Sequence, residues 1–311
     1  MEQIENGTLW RDTDGNEIHA HGGYMIHHAG YYYWYGEDRR KNYYVSCYRS
    51  ADLKKWEFRN HILTTDSHME SVRVRTNLTL INDEQNKVNI ERPKVLYNQQ
   101  TKKFVLWAHY ENGKDYSEAA VALATCDMPD GDFIYHGHMQ PYGYMSRDCT
   151  LFQDDDGTAY FISAARDNAD LHIYRLSSDY MNVDQLVNKL WQGEYREAPA
   201  VFKRHGKYYM LTSYCTGWAP NQGKFSMSDS IEGDWALLEN FGDETTFNTQ
   251  PAFVLKLSDD MILYYSDRWD ANNYFNSSYV VLPLHFDDDE KVLLRYYAQY
   301  EIDEHMKFQF S

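Results

Sequence analysis

Four polar side chains stand where otherwise apolar, strand-like segments of the sequence begin. They are Glu91 in NIERPKV, Asp148 in RDCTLF, Glu197 in REAPAVF and Gln250 in TQPAFVL. Carboxylates are rarely fully buried without partners, so three acids in such positions indicate a shared use, although solvated loop acids are the plain alternative. Two carboxyl groups in one pocket can hold different protonation states and so carry acid–base chemistry. The set predicts a site for general acid–base catalysis.

A short aromatic pattern recurs five times along the chain and indicates the elements that position these residues. Each copy opens on turn residues and continues as a run of aromatic and β-branched residues, as a β-hairpin does. The copies are Gly30-YYYWYGE, Lys102-KFVLWAHY, Asp156-GTAYFISA, His205-GKYYMLTS and Asp259-DMILYYSD. Their starting positions lie 72, 54, 49 and 54 residues apart, and a second strand pattern follows each. Repeats of this length suit four-stranded blades with long loops.

These repeats predict an all-β fold, a five-bladed β-propeller. No linker rich in Pro, Gly or Ser divides the chain, so we expect residues 1–311 to form a single catalytic domain. The inner strands of a propeller surround a central channel, and loops at one mouth collect side chains from every blade. Polar residues that are far apart in sequence are therefore expected to converge there.

The composition bears on the class of partner. The 30 basic and 47 acidic residues give a net charge of −17, which disfavours nucleic acid and anionic membranes. Aromatic residues make up 16% of the chain, which fits a β-rich core and also stacking against sugar rings. We expect an oligo- or polysaccharide as the partner, with no nucleic acid and no membrane. The oligomeric state is left open.

The N-terminus and the cysteines bear on location and cofactors. The start MEQIENGTLW has neither a basic nor an apolar signal region, which predicts a cytoplasmic chain as given, or a secreted one if a signal peptide has been removed. The four cysteines show no CxxC pairing and no metal-ligand spacing, which indicates reduced thiols. We expect no required cofactor. A structural ion in the central channel is left open, with His21, His27 and His28 as candidate ligands.

The segments around these polar residues resemble those of glycoside hydrolase family 43, which consists of five-bladed β-propellers with a catalytic trio of Asp, Asp and Glu. RDCTLFQDDDGTAYF resembles the strand bearing the acid that tunes the proton donor, here Asp148. REAPAVFKRHGKYYMLTS resembles the general-acid strand, here Glu197. The resemblance covers nearly the whole chain and implies hydrolysis of a glycosidic bond.

One departure from the family pattern points to a particular branch. Most members place the general-base Asp early in the first blade, but register from the aromatic strand puts Gly22 near that position. This loss resembles the exo-β-1,3-galactanase branch of the family. The segments shared with that branch are Asp12-TDGN, Tyr32-YWYGE, Glu91-RPKV, Arg196-EAP, Thr216-GWAPN and Gln250. The resemblance implies release of galactose from the end of β-1,3-linked, arabinogalactan-type galactan. The branch often adds a carbohydrate-binding module after the propeller, and we expect none here.

The missing Asp leaves open which group activates the attacking water. Inverting hydrolysis needs an acid at the leaving-group oxygen and a water held on the opposite face of the sugar. Gln250 can hold a water but is a poor base unless its amide shifts to the imidic form. Glu91 could be the base or a ligand of sugar hydroxyls. We favour Gln250, opposite Glu197, for the water and Glu91 for substrate binding.

A further set of residues is predicted to bind the sugar. Trp218 follows Gly217 in a loop and offers a platform for a sugar with an axial hydroxyl, such as galactose. Glu37 closes a strand at the channel mouth, where an ordinary strand-end acid is the alternative. The predicted substrate-binding residues are Glu37, Tyr116, Thr216, Gly217, Trp218, Asn221 and Arg268. No ligand of a catalytic metal is predicted.

Three other functions remain open at this point. The missing Asp suits a non-catalytic sugar-binding propeller, but mere binding does not need a tuned acid such as Glu197. A glycoside phosphorylase needs a cluster of basic residues to hold phosphate. The strand-entry segments offer only Arg92, Arg147, Arg196 and Arg268. Among hydrolases, an α-L-arabinofuranosidase or β-xylosidase is the runner-up.

Overall fold

The computed structural model describes residues 3–74, 76–303 and 307–310. Their regular secondary structure consists of β-strands and two short 3₁₀-helices, Pro141–Gly143 and Tyr274–Asn276. The prediction of an all-β chain is confirmed. Within the described ranges, no helix has the length and apolar character needed to cross a bilayer.

Five consecutive four-stranded antiparallel sheets follow a short N-terminal strand, β1 (Ile4–Glu5). The first sheet is β2 (His21–His28), β3 (Tyr31–Glu37), β4 (Tyr43–Ser50) and β5 (Glu57–Thr64). The second is β6 (Asn89–Asn98), β7 (Lys103–Glu111), β8 (Ala120–Cys126) and β9 (Ile134–Met139). The third is β10 (Cys149–Gln153), β11 (Ala159–Ala165), β12 (Asp170–Leu176) and β13 (Val183–Leu190).

The last two of these sheets complete the series. The fourth is β14 (Arg196–Arg204), β15 (Lys207–Tyr214), β16 (Lys224–Ser228) and β17 (Glu239–Asn240). The fifth is β18 (Gln250–Lys256), β19 (Ile262–Arg268), β20 (Ser278–Phe286) and β21 (Val292–Leu294). A separate three-stranded sheet joins β1 to β22 (Gln299–Ile302) and β23 (Phe308–Phe310). The sequence pattern did not predict this sheet, because a two-residue strand shows no alternation.

The five aromatic segments form the second strands of the five sheets, β3, β7, β11, β15 and β19. The strands that precede them, β2, β6, β10, β14 and β18, contact one another in order. β18 also contacts β2, so these first strands form a closed ring of neighbours. This ring brings the strand beginnings that carry Glu91, Glu197 and Gln250 into one region.

The core lies between the sheets. Five apolar clusters each fill the space between two neighbouring sheets. Between the fifth and first sheets, Trp34 packs edge-on against Trp56 with ring centroids 5.2 Å apart, and both rings are fully buried. Such aromatic pairs prefer edge-to-face or offset packing and bury a large apolar area. Many of the aromatic residues therefore serve the core.

The pairing of first and second strands is interrupted at the places where the polar residues lie. Register shifts fall between His21 and Tyr24, Glu91 and Lys94, Glu197 and Ala200, and Pro251 and Phe253. Gly22, Arg92 and Ala198, inside three of these bulges, have φ values of +56°, +50° and +51°. Bulges re-aim side chains and are common beside active sites. The third sheet has no such shift, and Asp148 directly precedes its first strand.

Candidate active site

A pocket of about 210 Å³ opens at the beginnings of the first strands. It brings together eight of the residues predicted from the sequence. These are Glu37, Glu91, Tyr116, Asp148, Glu197, Gly217, Trp218 and Gln250. The other lining residues are Arg39, Arg92, His109, Arg147, Asn168, Cys215 and Trp269. A concave site with convergent polar groups is the expected form of a small-ligand site.

Glu197 lies buried in this pocket between two amide side chains. Gln250 Nε2 donates to Glu197 Oε1 at 2.9 Å, and Asn168 Nδ2 donates to Glu197 Oε2 at 3.1 Å. Burial, and after it the negative charge of Asp148, raises the pKa of Glu197 to about 8. A carboxyl group with this pKa is mostly protonated at neutral pH and can act as a general acid.

Arg92 connects Asp148 to Gln250. Its Nε lies 2.9 Å from Asp148 Oδ2. Its Nη1 donates to the carbonyl of Pro251 at 2.7 Å, and its Nη2 donates to Gln250 Oε1. The guanidinium group is therefore occupied by groups of the protein itself.

The amide of Gln250 is hydrogen-bonded at every position. Its oxygen accepts from Arg92 and from Trp269 Nε1 at 2.8 Å. Its nitrogen donates to Glu197 at 2.9 Å and to Ser213 Oγ at 3.0 Å. This contact differs from the predicted arrangement, in which a sugar ring separates Gln250 from Glu197. The bulges of the neighbouring strands β14 and β18 turn the two side chains towards each other.

Glu91 is held by three donors on one carboxylate oxygen, and its other oxygen faces His109. Oε1 accepts from Tyr116 Oη at 2.7 Å, Asn89 Nδ2 at 3.1 Å and Arg39 Nη2 at 3.2 Å. Oε2 lies 3.4 Å from His109 Nδ1. Burial alone would raise the pKa of Glu91, but the hydrogen bond to His109 and the charges of His109 and Arg39 hold it well below its usual range. Glu91 is therefore an anion and a weak base.

His109 lies between two carboxylates and was not predicted from the sequence. Its Nε2 lies 2.8 Å from Glu111 Oε1, and both side chains are buried. Burial alone would lower the pKa of His109, but Glu111 and Glu91 raise it to about 9. His109 pairs with Glu91 across the β6–β7 ladder. The signal that could have revealed it was this register, which the sequence alone does not fix.

Glu37 occupies the space beside Gly22. Its Oε2 accepts from Arg39 Nη2 at 2.9 Å, and its Oε1 accepts from the backbone N–H of Arg92 at 3.0 Å. Burial, opposed by Arg39 and reinforced by Glu91, raises the pKa of Glu37. A Cβ atom at Gly22 would lie 2.7 Å from Glu37 Oε1. The position expected to carry the general-base Asp is therefore filled by the carboxylate of Glu37.

The loop that carries Trp218 forms one wall of the pocket. The Trp218 ring stacks on Trp269 with centroids 5.8 Å apart and an interplanar angle of 17°. The guanidinium carbon of Arg39 lies 4.4 Å from the ring centre of Tyr274, which is also near Trp218. Flat aromatic faces at the pocket wall are suited to the C–H face of a sugar.

Thr216, Asn221 and Arg268 do not line this pocket. Asn221 Nδ2 donates to Thr216 Oγ1 at 2.7 Å, and Thr216 Oγ1 donates to the carbonyl of Ala219 at 2.6 Å. Arg268 Nη2 donates to the carbonyl of Phe247 at 2.9 Å. These bonds brace the Trp218 loop and the segment behind it. The predicted sugar contacts of these three residues stay a prediction.

The three candidate histidines for a channel ion do not converge. His21 Nδ1 lies 2.8 Å from Asp267 Oδ1, and its ring stacks on Tyr279. His27 and His28 lie at the other end of β2, against Tyr32 and Tyr97. In the part of the chain that the structure describes, no group of three or more His, Cys, Asp or Glu side chains is placed to hold a metal ion.

The profile "Glycosyl hydrolases family 43" matches residues 20–252, about three quarters of the chain. The chain belongs to glycoside hydrolase family 43. The matched range includes every residue that lines the pocket except Trp269. Membership of family 43 makes the pocket the candidate active site of a glycoside hydrolase.

Solved structures from family 43 align with nearly the whole chain. An exo-β-1,3-galactanase from Clostridium thermocellum is 44% identical, with 100% of this chain and 69% of that chain covered and a TM-score of 0.91. An exo-β-1,3-galactanase from Phanerochaete chrysosporium, solved with β-1,3-galactotriose, is 31% identical, with 100% and 71% covered and a TM-score of 0.87. A family 43 β-1,3-galactosidase with galactodeoxynojirimycin is 32% identical, with 94% and 98% covered and a TM-score of 0.84. A comparison with curated proteins gave no match.

Proposed function

We propose that this protein is an inverting exo-β-1,3-galactanase, which releases galactose from the end of β-1,3-linked galactan chains of the arabinogalactan type. The observation that carries the proposal is the buried carboxyl group of Glu197, whose pKa is raised to about 8 in a pocket that also holds Asp148 and Gln250. The similarity to two exo-β-1,3-galactanases supports this choice of substrate. The pocket volume of about 210 Å³ is below that of typical drug-sized sites and suits a single sugar residue.

In the proposed reaction, Glu197 gives its proton to the glycosidic oxygen as the bond between that oxygen and the anomeric carbon breaks. A water molecule held by Gln250 forms the new bond to the anomeric carbon from the opposite face, and the proton that it loses passes to the surrounding water. Asp148 keeps Glu197 protonated before the step because a second negative charge nearby is unfavourable. No covalent intermediate forms, so the configuration inverts.

Gln250 is the proposed water-holding group, and Glu91 is the proposed ligand of sugar hydroxyls. Glu91 already accepts several hydrogen bonds, and its lowered pKa makes it a poor base. The oxygen of Gln250 accepts from Arg92 and Trp269, which fixes the orientation of the amide beside Glu197. The 2.9 Å contact between Gln250 and Glu197 has to open when the sugar binds.

We also propose that the five four-stranded sheets are the blades of a five-bladed β-propeller and form one catalytic domain. The closed ring of contacts among the first strands supports this arrangement. The apolar cluster between each pair of neighbouring sheets supports it as well. The pocket then lies at one mouth of the central channel.

The phosphorylase alternative is disfavoured by the way the arginines are used. Arg39 and Arg92 pair with acidic groups of the pocket. Arg147 Nη2 donates to the carbonyl of Tyr116, and Arg196 is buried against Thr212. A phosphate ion would have to displace these partners.

Incubation with linear β-1,3-galactan tests the proposal. We expect galactose as the product, at a rate independent of added phosphate, and proton NMR during early turnover should show α-galactose first. Chromogenic α-L-arabinofuranoside and β-xyloside should react much more slowly than the β-galactoside. Release of arabinose or xylose at a higher rate would contradict the substrate. Early appearance of β-galactose would contradict inversion.

A further inference from the structure

Lys94 is a buried lysine that the proposed reaction does not use. It lies on the first strand β6, and its relative exposure is 0%. Lysine is almost never fully buried unless it is paired, because an isolated charge is costly to remove from water. Among the described residues, no carboxylate forms a salt bridge with Lys94. Its charge must therefore be stabilised by other groups.

Three backbone carbonyls surround the Lys94 ammonium group. Nζ donates to the carbonyl oxygens of Gly22 at 2.6 Å, Gly23 at 2.7 Å and Ala252 at 3.0 Å. An ammonium group has three N–H donors, so all of them are used. Gly22 and Gly23 belong to β2, which is next to β6 in the ring, and Ala252 belongs to β18, which lies on the other side of β2.

These three carbonyls are available because their strands are bulged. In the β2–β3 ladder, pairing passes from His21 to Tyr24 and omits Gly22 and Gly23. In the β18–β19 ladder, pairing omits Ala252. A buried carbonyl group without a donor costs free energy comparable to a lost hydrogen bond. Lys94 supplies the donors that the bulges would otherwise lack.

We propose that Lys94 is a built-in cation at the centre of the ring, where its ammonium group takes the place of a bound ion and joins the bulges of β2 and β18 to β6. Convergent carbonyl oxygens are the ligands that proteins offer to hard cations. Lys94 is then a positioning residue, because the β18 bulge follows Gln250 directly. Burial, and after it the charge of Arg92, lowers the pKa of Lys94 to about 7, so the ammonium form prevails below that pH. A neutral amine has only two N–H donors and would leave one carbonyl unpaired.

The test compares Lys94→Ala and Lys94→Met with the wild type and with Lys103→Ala. Lys103 is the matched control, because it is a partly exposed lysine that pairs with Asp127 at the surface. We expect both Lys94 variants to lower the Tm by roughly 5 to 10 °C. Added methylammonium should raise the Tm of Lys94→Ala, and tetramethylammonium, which has no N–H donor, should not. Neither salt should affect the Tm of the wild type or Lys103→Ala. The Tm of Lys94→Met should also be unaffected, because the methionine side chain fills the space that the lysine side chain occupied.

Activity gives a second measurement, because an additive that merely fills the cavity of Lys94→Ala would not restore kcat. The kcat of Lys94→Ala on β-1,3-galactan should fall roughly tenfold or more and recover with methylammonium. If Lys94→Ala folds only with an additive, refolding in methylammonium but not in tetramethylammonium is expected. A Tm and kcat of Lys94→Met equal to the wild type, or equal responses to the two salts, would overturn the proposal. If the wild type itself does not release galactose, the proposed function fails and the Tm results still decide the role of Lys94.

Discussion

Glu91 and Glu197 share one local backbone structure and differ in charge. Each begins a Glu-x-Pro segment at a bulge in a first strand, and each is followed by a residue with positive φ, Arg92 in one case and Ala198 in the other. The pKa of Glu197 is raised to about 8, whereas the pKa of Glu91 is held well below its usual range. The bulge therefore directs the side chain into the pocket without fixing its charge.

The difference arises from the residues that face the two acids. Across the ladder, Glu91 pairs with His109, whereas Glu197 pairs with Ser213. His109 carries a positive charge next to Glu91, while Glu197 is buried near the negative charge of Asp148. The comparison teaches that the neighbours on the second strand and the adjacent sheet decide the charge of each acid, and this charge separates the proton donor from the sugar ligand in the proposed reaction.

The largest expected effect comes from Glu197→Gln. This variant keeps the shape of the side chain and removes its proton-donating function. The kcat on β-1,3-galactan should fall by roughly a hundredfold or more, with an unchanged thermal unfolding curve. Steady-state kinetics with galactose detection measures it. Activity near that of the wild type would remove Glu197 from the role of general acid.

The next test separates Gln250 from Glu91. Gln250→Ala should abolish turnover and spare substrate binding, because the amide acts on the water in the transition state. Glu91→Gln should raise the KM by about tenfold with a smaller change in kcat, because it removes a charged acceptor of sugar hydroxyls. Calorimetric titration with galactobiose and kinetics distinguish these results. If Gln250→Ala keeps most of its kcat while Glu91→Gln loses it, Glu91 is the base.

The pH profile sharpens the contrast between the two acids. Because Glu197 must be protonated to donate, kcat/KM should fall as the pH rises through about 8. Asp148→Asn removes a charge that raises this pKa, so the fall should move to lower pH. Asp127→Asn, which changes a surface acid, should leave the profile unmoved. A profile that is the same in the wild type and Asp148→Asn would show that Asp148 does not tune Glu197.

The smallest effect is expected from His109→Gln, which removes the positive charge that faces Glu91. The pKa of Glu91 should rise, and the KM should increase several-fold with kcat nearly unchanged, because Glu91 loses its fixed position and charge. In the double variant with Glu91→Gln, the two effects on KM should not add, because they act through one carboxylate. Additive effects would show that His109 acts on the sugar independently of Glu91.

The sequence predicted the strands that a short stretch of residues specifies by itself. The five aromatic segments form β3, β7, β11, β15 and β19 because alternation and turn residues specify a strand without knowledge of its partners. Glu91, Glu197 and Gln250 could be singled out because each is polar in an apolar first strand. The number of blades and the roles of these residues stay predictions.

The pocket residues that the sequence did not reveal lie outside the beginnings of the first strands. His109 lies within an apolar second strand and becomes significant only through its register with Glu91. Asn168 lies in the turn between β11 and β12 and donates to Glu197 from there. Thr216 and Asn221 were predicted from a loop motif; their hydrogen bonds stabilise the loop, and their sugar contacts stay a prediction. Side-chain partners of this kind depend on tertiary contacts that no local pattern encodes.

The close approach of Gly22 and Glu37 limits the order in which substitutions can alter this site. An aspartate at position 22 would need a left-handed backbone and a Cβ atom 2.7 Å from Glu37 Oε1. An aspartate could enter only if the Glu37 carboxylate shifted away from the Arg39 and Arg92 donors that hold it, or if Glu37 were replaced by a smaller residue. The two carboxylates therefore compete for one space.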